Sequence, residues 1–241
     1  DFKFNAWGGK FNWDLDNNIT PQMNEQGFFE CEVENCQNFI LEGGSIETDG
    51  NGTLLVTSQC LLTPTRNPHM NKEQIESYLC DTLGVGKVLW LDYGAFAGDD
   101  TDSHIDTLAR IAINDSIIYA GCDDENDEPY AELKKMEEQL STFKTIDDIP
   151  FKLYKLPFPN AIYDEDGERL PATYANYLIG NGVVWVPTYN QPENDEKALQ
   201  IIQSVFEGYD IVGIDCTALI KQHGSLHCIT MQFPKNVIKG L

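Results

Sequence analysis

The sequence predicts an α/β fold built from repeated ββαβ modules arranged in a ring. Two observations carry this expectation: one strand–turn–strand–helix–strand pattern recurs three times, and each copy has an apolar face too open to bury by itself. The first copy runs "FILEGGSIETDGNGTLLVTSQCLL", "NKEQIESYLCDTLG", "KVLWLD". The second runs "SHIDTLARIAINDSIIYAG", "PYAELKKMEEQLSTF", "FKLYKLP", and the third "ATYANYLIGNGVVWVP", "NDEKALQIIQSVFEG", "DIVGID". A repeat of roughly 60 to 65 residues must cover its open face with its neighbours, which a ring achieves.

Each element has its own signal. The hairpin turns fall at Asn51-Gly52, Asn114-Asp115 and Asn181-Gly182, residue types that tolerate positive φ. Ile75, Leu79 and Leu83 share one helical face, as do Leu133, Met136 and Leu140, and Leu199, Ile202 and Phe206. Each helix starts near Asn or Asp, the expected N-caps. A fourth unit is expected to start at "SLHCITMQFP", and a fragment of another to end at "FKFNAWGG". The acidic "GCDDENDEP" leads into a helix and is no linker, so residues 1–241 read as a single domain. The opening "DFKFNAWGGK" reads as the middle of something, and an N-terminal portion is expected upstream.

The net charge is -23, from 16 Lys and Arg against 39 Asp and Glu spread along the chain. That argues against nucleic acid, which needs basic contacts to phosphate, and suits a cationic small molecule drawn in by a negative field. Solubility alone would explain it too. No run of about 18 apolar residues suggests a membrane span. Seven cysteines without a CxxC pattern point to a reducing, cytoplasmic setting rather than to disulfides or zinc. A homo-oligomer is left open.

Polar residues recur where modules begin: Glu42 in "LEGGSIE", His104 and Asp106 in "GDDTDSHIDT", Cys228 in "SLHCITMQ". In a ring, such equivalent places converge on the axis. Each has a plainer reading. Cys228 sits in an apolar context where cysteine is often simply buried. His104 and Asp106 would point to one face of a strand but also suit a solvated turn. Gly43 and Gly44 either permit close approach to the backbone or only serve a turn. Asp99, Asp100 and Asp102 form a solvated loop or clamp a cation. His223 and His227 read as structural, and a metal set of His104, Asp106 and His227 matches no common ligand spacing.

The blocks "FNAWGGK", "LEGGSIETDGNGTLLVTSQCLLTPTRNP", "GDDTDSHIDTLARI", "RLPATYANYLIGNGVVWVP" and "LHCITMQFP" together resemble the agmatine deiminase family, related to the bacterial type of peptidylarginine deiminase. The resemblance implies a pseudo-fivefold α/β propeller and hydrolysis of agmatine to N-carbamoylputrescine and ammonia through a covalent cysteine adduct. It implies Cys228 as nucleophile, His104 as general acid/base, Asp106 as a guanidinium-binding carboxylate and Glu42 as the support of the histidine. It places Asp100, Trp7 and Gly43 on the substrate side, and it implies no metal or organic cofactor. The family also carries an upstream Trp-x-x-Arg-Asp-x-Gly-Pro block, which is not among these residues, and "QHGSLHCIT" differs from its Gly-rich segment. Peptidyl-arginine deimination and non-catalytic binding of guanidino compounds or polyamines are the alternatives.

Overall fold

Three hairpins, each followed by a helix and a returning strand, form successively along the chain in the computed structural model, which describes residues 1–240. The result is a mixed α/β fold of small sheets. It opens with β1 (Phe2–Lys3), the short helices α1 (Ala6–Gly9), α2 (Asp14–Asn17) and α3 (Ile19–Glu25), and β2 (Cys36–Ile40), which pairs parallel to β1. The first complete module is β3 (Ile46–Thr48), β4 (Thr53–Thr57), α4 (Ser58–Leu61), α5 (Lys72–Leu83) and β5 (Lys87–Leu91). The second is β6 (Ala109–Ala112), β7 (Ser116–Ala120), α6 (Tyr130–Leu140) and β8 (Lys152–Leu156). The third is β9 (Leu178–Ile179), β10 (Val183–Thr188), α7 (Pro192–Val205) and β11 (Asp210–Asp215).

In each module the hairpin pairs antiparallel and the last strand pairs parallel to the middle one. A parallel partner needs a crossover connection, and the helix supplies it. The turn at Asn114-Asp115 has both residues in the left-handed region, at φ 57° and 53°, and Gly52 takes φ 104°. These are conformations that Asn, Asp and Gly adopt at low cost.

Side-chain alternation along the middle strands explains why the modules need one another. Leu54 and Val56 of β4 face a core with Phe39, Ile75 and Leu79, while Leu55 faces another with Leu133, Met136 and Leu140 of α6. Ile117 and Tyr119 of β7 join that second core, while Ile118 and Ala120 face a third with Val184, Ile202 and Phe206. Each helix is thus a layer between its own sheet and the preceding one, and both faces of β4 and β7 are buried. Burying one Leu or Met side chain stabilises by about 1.5–3 kcal/mol, so these shared cores outweigh the preferences of any single strand.

Two expectations are corrected. The segment from Ser225 onward forms no strand; His227–Ile229 is a 3₁₀ turn, and the chain then runs back so that Phe29 bridges Ile238 and Glu30 N donates to Val237 O at 2.8 Å. Glycine at 224 and proline at 234 disfavour a continuous strand here. Of the three long helices, α5 alone has the expected cap: Asn71 and Gln74 form a reciprocal capping box. Pro129 precedes α6 and Pro192 opens α7, where a residue lacking an N–H removes one donor that would otherwise need a cap. No helix among the described residues is long and apolar enough to cross a membrane.

Met136 is fully buried between the first and second sheets. Met136→Ala is expected to lower unfolding free energy by about 2–5 kcal/mol in urea titrations.

Candidate active site

The segments that lead into successive modules lie side by side. The 3₁₀ turns Gly43–Ser45 and Ile105–Thr107, which precede β3 and β6, pack against each other. This brings Glu42, His104 and Asp106 together, all nearly or fully buried. Gly44 shows how close the approach is: a Cβ there would lie 2.7 Å from His104 Nδ1 and 2.9 Å from Asp106 Oδ2. Gly43 is exposed with open space around it, so Gly44 is the position where a side chain cannot fit.

The histidine half of the site is organised by Arg66. Its Nε and Nη2 donate to Glu42 Oε2 at 3.1 and 2.8 Å, Nη1 to Asp102 Oδ2 at 2.7 Å, and Nη2 also to Thr101 O at 2.8 Å. The same Glu42 oxygen lies 2.7 Å from His104 Nε2. Cys60, on α4, places its thiol 4.0 Å from this oxygen. Burial pulls the proton affinity of His104 down, but its contacts with Cys60 and Glu42 and the charge of Asp106 outweigh burial and raise the pKa to about 10. Burial raises the Glu42 pKa, yet His104 and Arg66 hold it below the usual carboxylate range. Donors of Glu42, Cys60 and His104 lie within 4.8 Å of one another, close enough to suit a metal, but the Glu42 oxygen is already shared by Arg66 and the His104 ring. The set of His104, Asp106 and His227 makes no such cluster among the described residues.

The thiol half is organised by Asn176, which is fully buried just before β9. Its Oδ1 accepts from the main-chain N–H of His227 at 2.8 Å and lies 3.5 Å from Cys228 Sγ, while its Nδ2 donates to Asp106 O at 3.3 Å. Asp106 Oδ2 lies 2.7 Å from His227 Nδ1, and Asp106 Oδ1 is buried without a partner. Burial raises the Asp106 pKa, but His227 and the neighbouring cations His104 and Arg110 lower it overall. Cys228 is exposed as a residue, yet protein packs closely around its thiol. That desolvation, with the charges of Asp106 and Asp99, pushes the thiol up to about 11. Beneath Asp106, buried Arg110 donates to Glu47 Oε2 at 2.7 Å and to Tyr177 O at 2.5 Å.

The other sequence candidates lie outside this hydrogen-bonded group. Asp100 takes Lys10, whose Nζ lies 2.6 Å from both its Oδ1 and its carbonyl oxygen. Trp7 has a left-handed backbone and packs edge-on against Phe4 and Phe11. Its turn is tied to the Arg66 segment through Asn5 Nδ2, which donates to Thr65 O at 2.8 Å. Asp99 caps the loop before the histidine, accepting from Thr101 Oγ1 and Ser103 N at 2.6 Å each. Sequence reasoning missed Arg66, Asn176, Cys60 and Arg110. Asn176 had a usable signal, since "TYANYLIG" occupies in the third module the place that Glu42 and His104 hold in the first two; Cys60 had none.

Residues 1–234 match the family described as Porphyromonas-type peptidyl-arginine deiminase. A Yersinia pestis protein named "Putative agmatine deiminase" is 36% identical over 255 residues, covering 97% of this chain and 68% of its own length. Among solved structures, one described as a "Putative Arginine Deiminase" from Porphyromonas gingivalis is 48% identical with a TM-score of 0.96, over 99% of this chain and 70% of that one. A cysteine-to-serine agmatine deiminase of C. jejuni with substrate bound is 41% identical with a TM-score of 0.86, over 94% and 65%.

Two outcomes follow from the buried charges. Arg66→Met strands the Glu42 carboxylate and is expected to cost about 3–5 kcal/mol of unfolding free energy; adding Glu42→Gln should recover part of it, read by chemical denaturation. His104 takes up its proton more tightly when folded, so its stabilisation is complete below the ordinary value of 6.5 and is lost as pH rises through about 10. Stability of His104→Gln, followed by thermal unfolding, should decline less over that window than that of the parent protein.

Proposed function

The chain belongs to the Porphyromonas-type peptidyl-arginine deiminase family, and on that premise we propose that it hydrolyses the guanidinium of agmatine to N-carbamoylputrescine and ammonia through a covalent adduct on Cys228. The observation that carries the reading is the state of Asp106. One carboxylate oxygen is buried with no donor, beside a thiol, in a protein with a net charge of -23. A buried acceptor left unpaired costs about 1–3 kcal/mol or more, and the N–H groups of a planar cation would satisfy it. The substrate-bound C. jejuni agmatine deiminase supports the choice of a small guanidinium compound.

The residues divide the work as follows. Asp106 grips the guanidinium and fixes its plane, so that Cys228 approaches the central carbon from one face. The free thiol holds its proton at neutral pH, since its pKa is about 11. The bound cation lowers that value, the proton leaves to water, and the thiolate adds to the carbon. His104, with a pKa of about 10, already carries a proton and gives it to the departing amino group, so ammonia leaves as the carbon–nitrogen bond breaks. The neutral imidazole then takes a proton from water, hydroxide adds to the S-alkylthiouronium carbon, and the carbon–sulfur bond breaks as the hydroxyl proton passes to the departing sulfur, which gives the ureido product and restores the thiol. Glu42 holds His104 in place and balances its charge.

The layered sheets, read as successive blades of one domain, are the propeller part of this proposal. Each blade's helix packs on the previous sheet, and the segment after Cys228 returns to pair with residues 28–30. Both features suit an arc that bends round an axis at which the module starts meet.

Ammonia release tests the substrate directly. Agmatine should be turned over, with a mass adduct trapped on Cys228, and Cys228→Ser should bind agmatine without turnover. Turnover of a C-terminal arginine peptide but not of agmatine would overturn the agmatine reading, and turnover of neither would overturn the deiminase reading.

A further inference from the structure

His227 precedes the proposed nucleophile and takes no part in the steps above, yet its ring is held on both nitrogens. Nδ1 lies 2.7 Å from Asp106 Oδ2, an acceptor, so Nδ1 carries the hydrogen of that bond. Nε2 lies 3.2 Å from Gln232 Oε1 and 3.5 Å from Arg110 Nη2. Gln232 is itself fixed, because its Nε2 donates to Ile179 O at 2.8 Å. Arg110 is fixed by Glu47 and by the carbonyl of Tyr177. The backbone of His227 is pinned separately, its N–H donating to Asn176 Oδ1 at 2.8 Å. The residue therefore spans two parts of the site that come from different modules: the 3₁₀ turn carrying Cys228 and the carboxylate of Asp106.

The consequence for Asp106 is asymmetric. A carboxylate with two free oxygens can rotate, and either oxygen can turn toward a ligand. With Oδ2 held by the ring, Asp106 has one rotamer and offers Oδ1, the oxygen without a partner. Neither neighbouring arginine makes a hydrogen bond to it, since Arg66 pairs with Glu42 and Asp102, and Arg110 with Glu47. We propose that His227 is a positioning residue: it reserves one oxygen of Asp106 for the guanidinium and locks that carboxylate to the turn bearing Cys228. The proposal rests on the deiminase reading for the identity of the ligand, and on geometry alone for the His227–Asp106 lock.

The atom responsible can be singled out by substitution. The amide nitrogen of an asparagine at 227 reaches the place of Nδ1, whereas that of a glutamine reaches the place of Nε2. His227→Asn is expected to keep near-parental kcat/KM. His227→Gln and His227→Leu should lose on the order of 10²-fold, mostly through a raised KM for agmatine, because Asp106 is misplaced against the guanidinium. Equal losses in all three variants, or no loss in His227→Leu, would overturn the proposal. A second readout needs no activity: nitrogen NMR of histidine-labelled Cys228→Ser protein should show hydrogen on Nδ1 of residue 227 at neutral pH. A neutral ring with hydrogen on Nε2 alone would sink the lock. Absence of turnover in the parent protein counts against the deiminase reading, and the NMR result then decides the lock by itself.

Discussion

The site depends on one buried guanidinium. Arg66 binds Glu42 on one side and the loop of Thr101 and Asp102 on the other, so a single side chain joins the acid that holds His104 to the chain segment that carries His104. That segment needs holding. Asp102 and Ser103 both take φ 64°, two consecutive left-handed residues; Asp tolerates this conformation, but for a serine it costs on the order of 1–3 kcal/mol. Arg66 secures Asp102, and Asp99 and Thr57 bind the N–H and C=O of Ser103 at 2.6 and 2.7 Å. Released from these bonds the loop would relax toward ordinary backbone angles and carry His104 away from Glu42. The buried ion pair is an indifferent source of stability by itself, because desolvation offsets most of the attraction. Its effect is to leave one arrangement of the loop instead of several.

The distribution of charge then explains why Asp106 is available. Two buried arginines lie close by, and either could have neutralised it. Each is committed elsewhere by geometry: Arg66 to Glu42 and Asp102, Arg110 to Glu47 and the Tyr177 carbonyl. The pairing with Arg110 leaves Glu47 with its pKa raised by burial, so this pair is tight but costly to desolvate. Asp106 keeps only the His227 ring on one oxygen and feels His104 and Arg110 at a distance. A carboxylate held ionised but incompletely paired is a strong receptor for a cation, and its field also raises the thiol pKa.

Much of this was legible in the residues because one strand–turn–strand–helix–strand pattern recurs. The turns Asn51-Gly52 and Asn114-Asp115 marked the hairpins that contain β4 and β7, and Leu133, Met136 and Leu140 marked the buried face of α6. The polar groups at module starts gave Glu42, His104 and Asp106, which do lie together. What failed to show has physical causes. Asn176 interrupts an apolar stretch and looked like one more strand residue, although its place in the repeat matched the others. Arg66 lies in "TPTRNP", where nothing local separates a buried hub from a surface arginine; its role exists only through partners 24 and 36 residues away. Asp100 looked equivalent to its neighbours, but in space Lys10 reaches it. The last unit failed as a strand because "SLHCITMQFP" has the hydrophobicity of one but lies between Gly224 and Pro234, and His227–Ile229 closes into a 3₁₀ turn.

The two halves of the site differ in burial, and the difference fits the tasks proposed for them. Glu42, Arg66 and His104 are 5%, 2% and 5% exposed and sit on turns between two filled cores. Groups that must hold a proton at a fixed distance gain from such confinement, since the hydrogen bonds are strong in a dry interior and their geometry is set before substrate binds. Cys228 stands on a turn whose neighbours Ile229 and Met231 are 64% and 65% exposed, and whose ties to the body are Asn176 and the His227 ring. Under the proposed deimination the sulfur must admit a substrate and later a water molecule, which suits a turn that stays at the surface while protein packs round the thiol itself. In the proposed arrangement the histidine beside the cysteine adds to the thiol's own packing in setting where sulfur and carboxylate stand relative to each other.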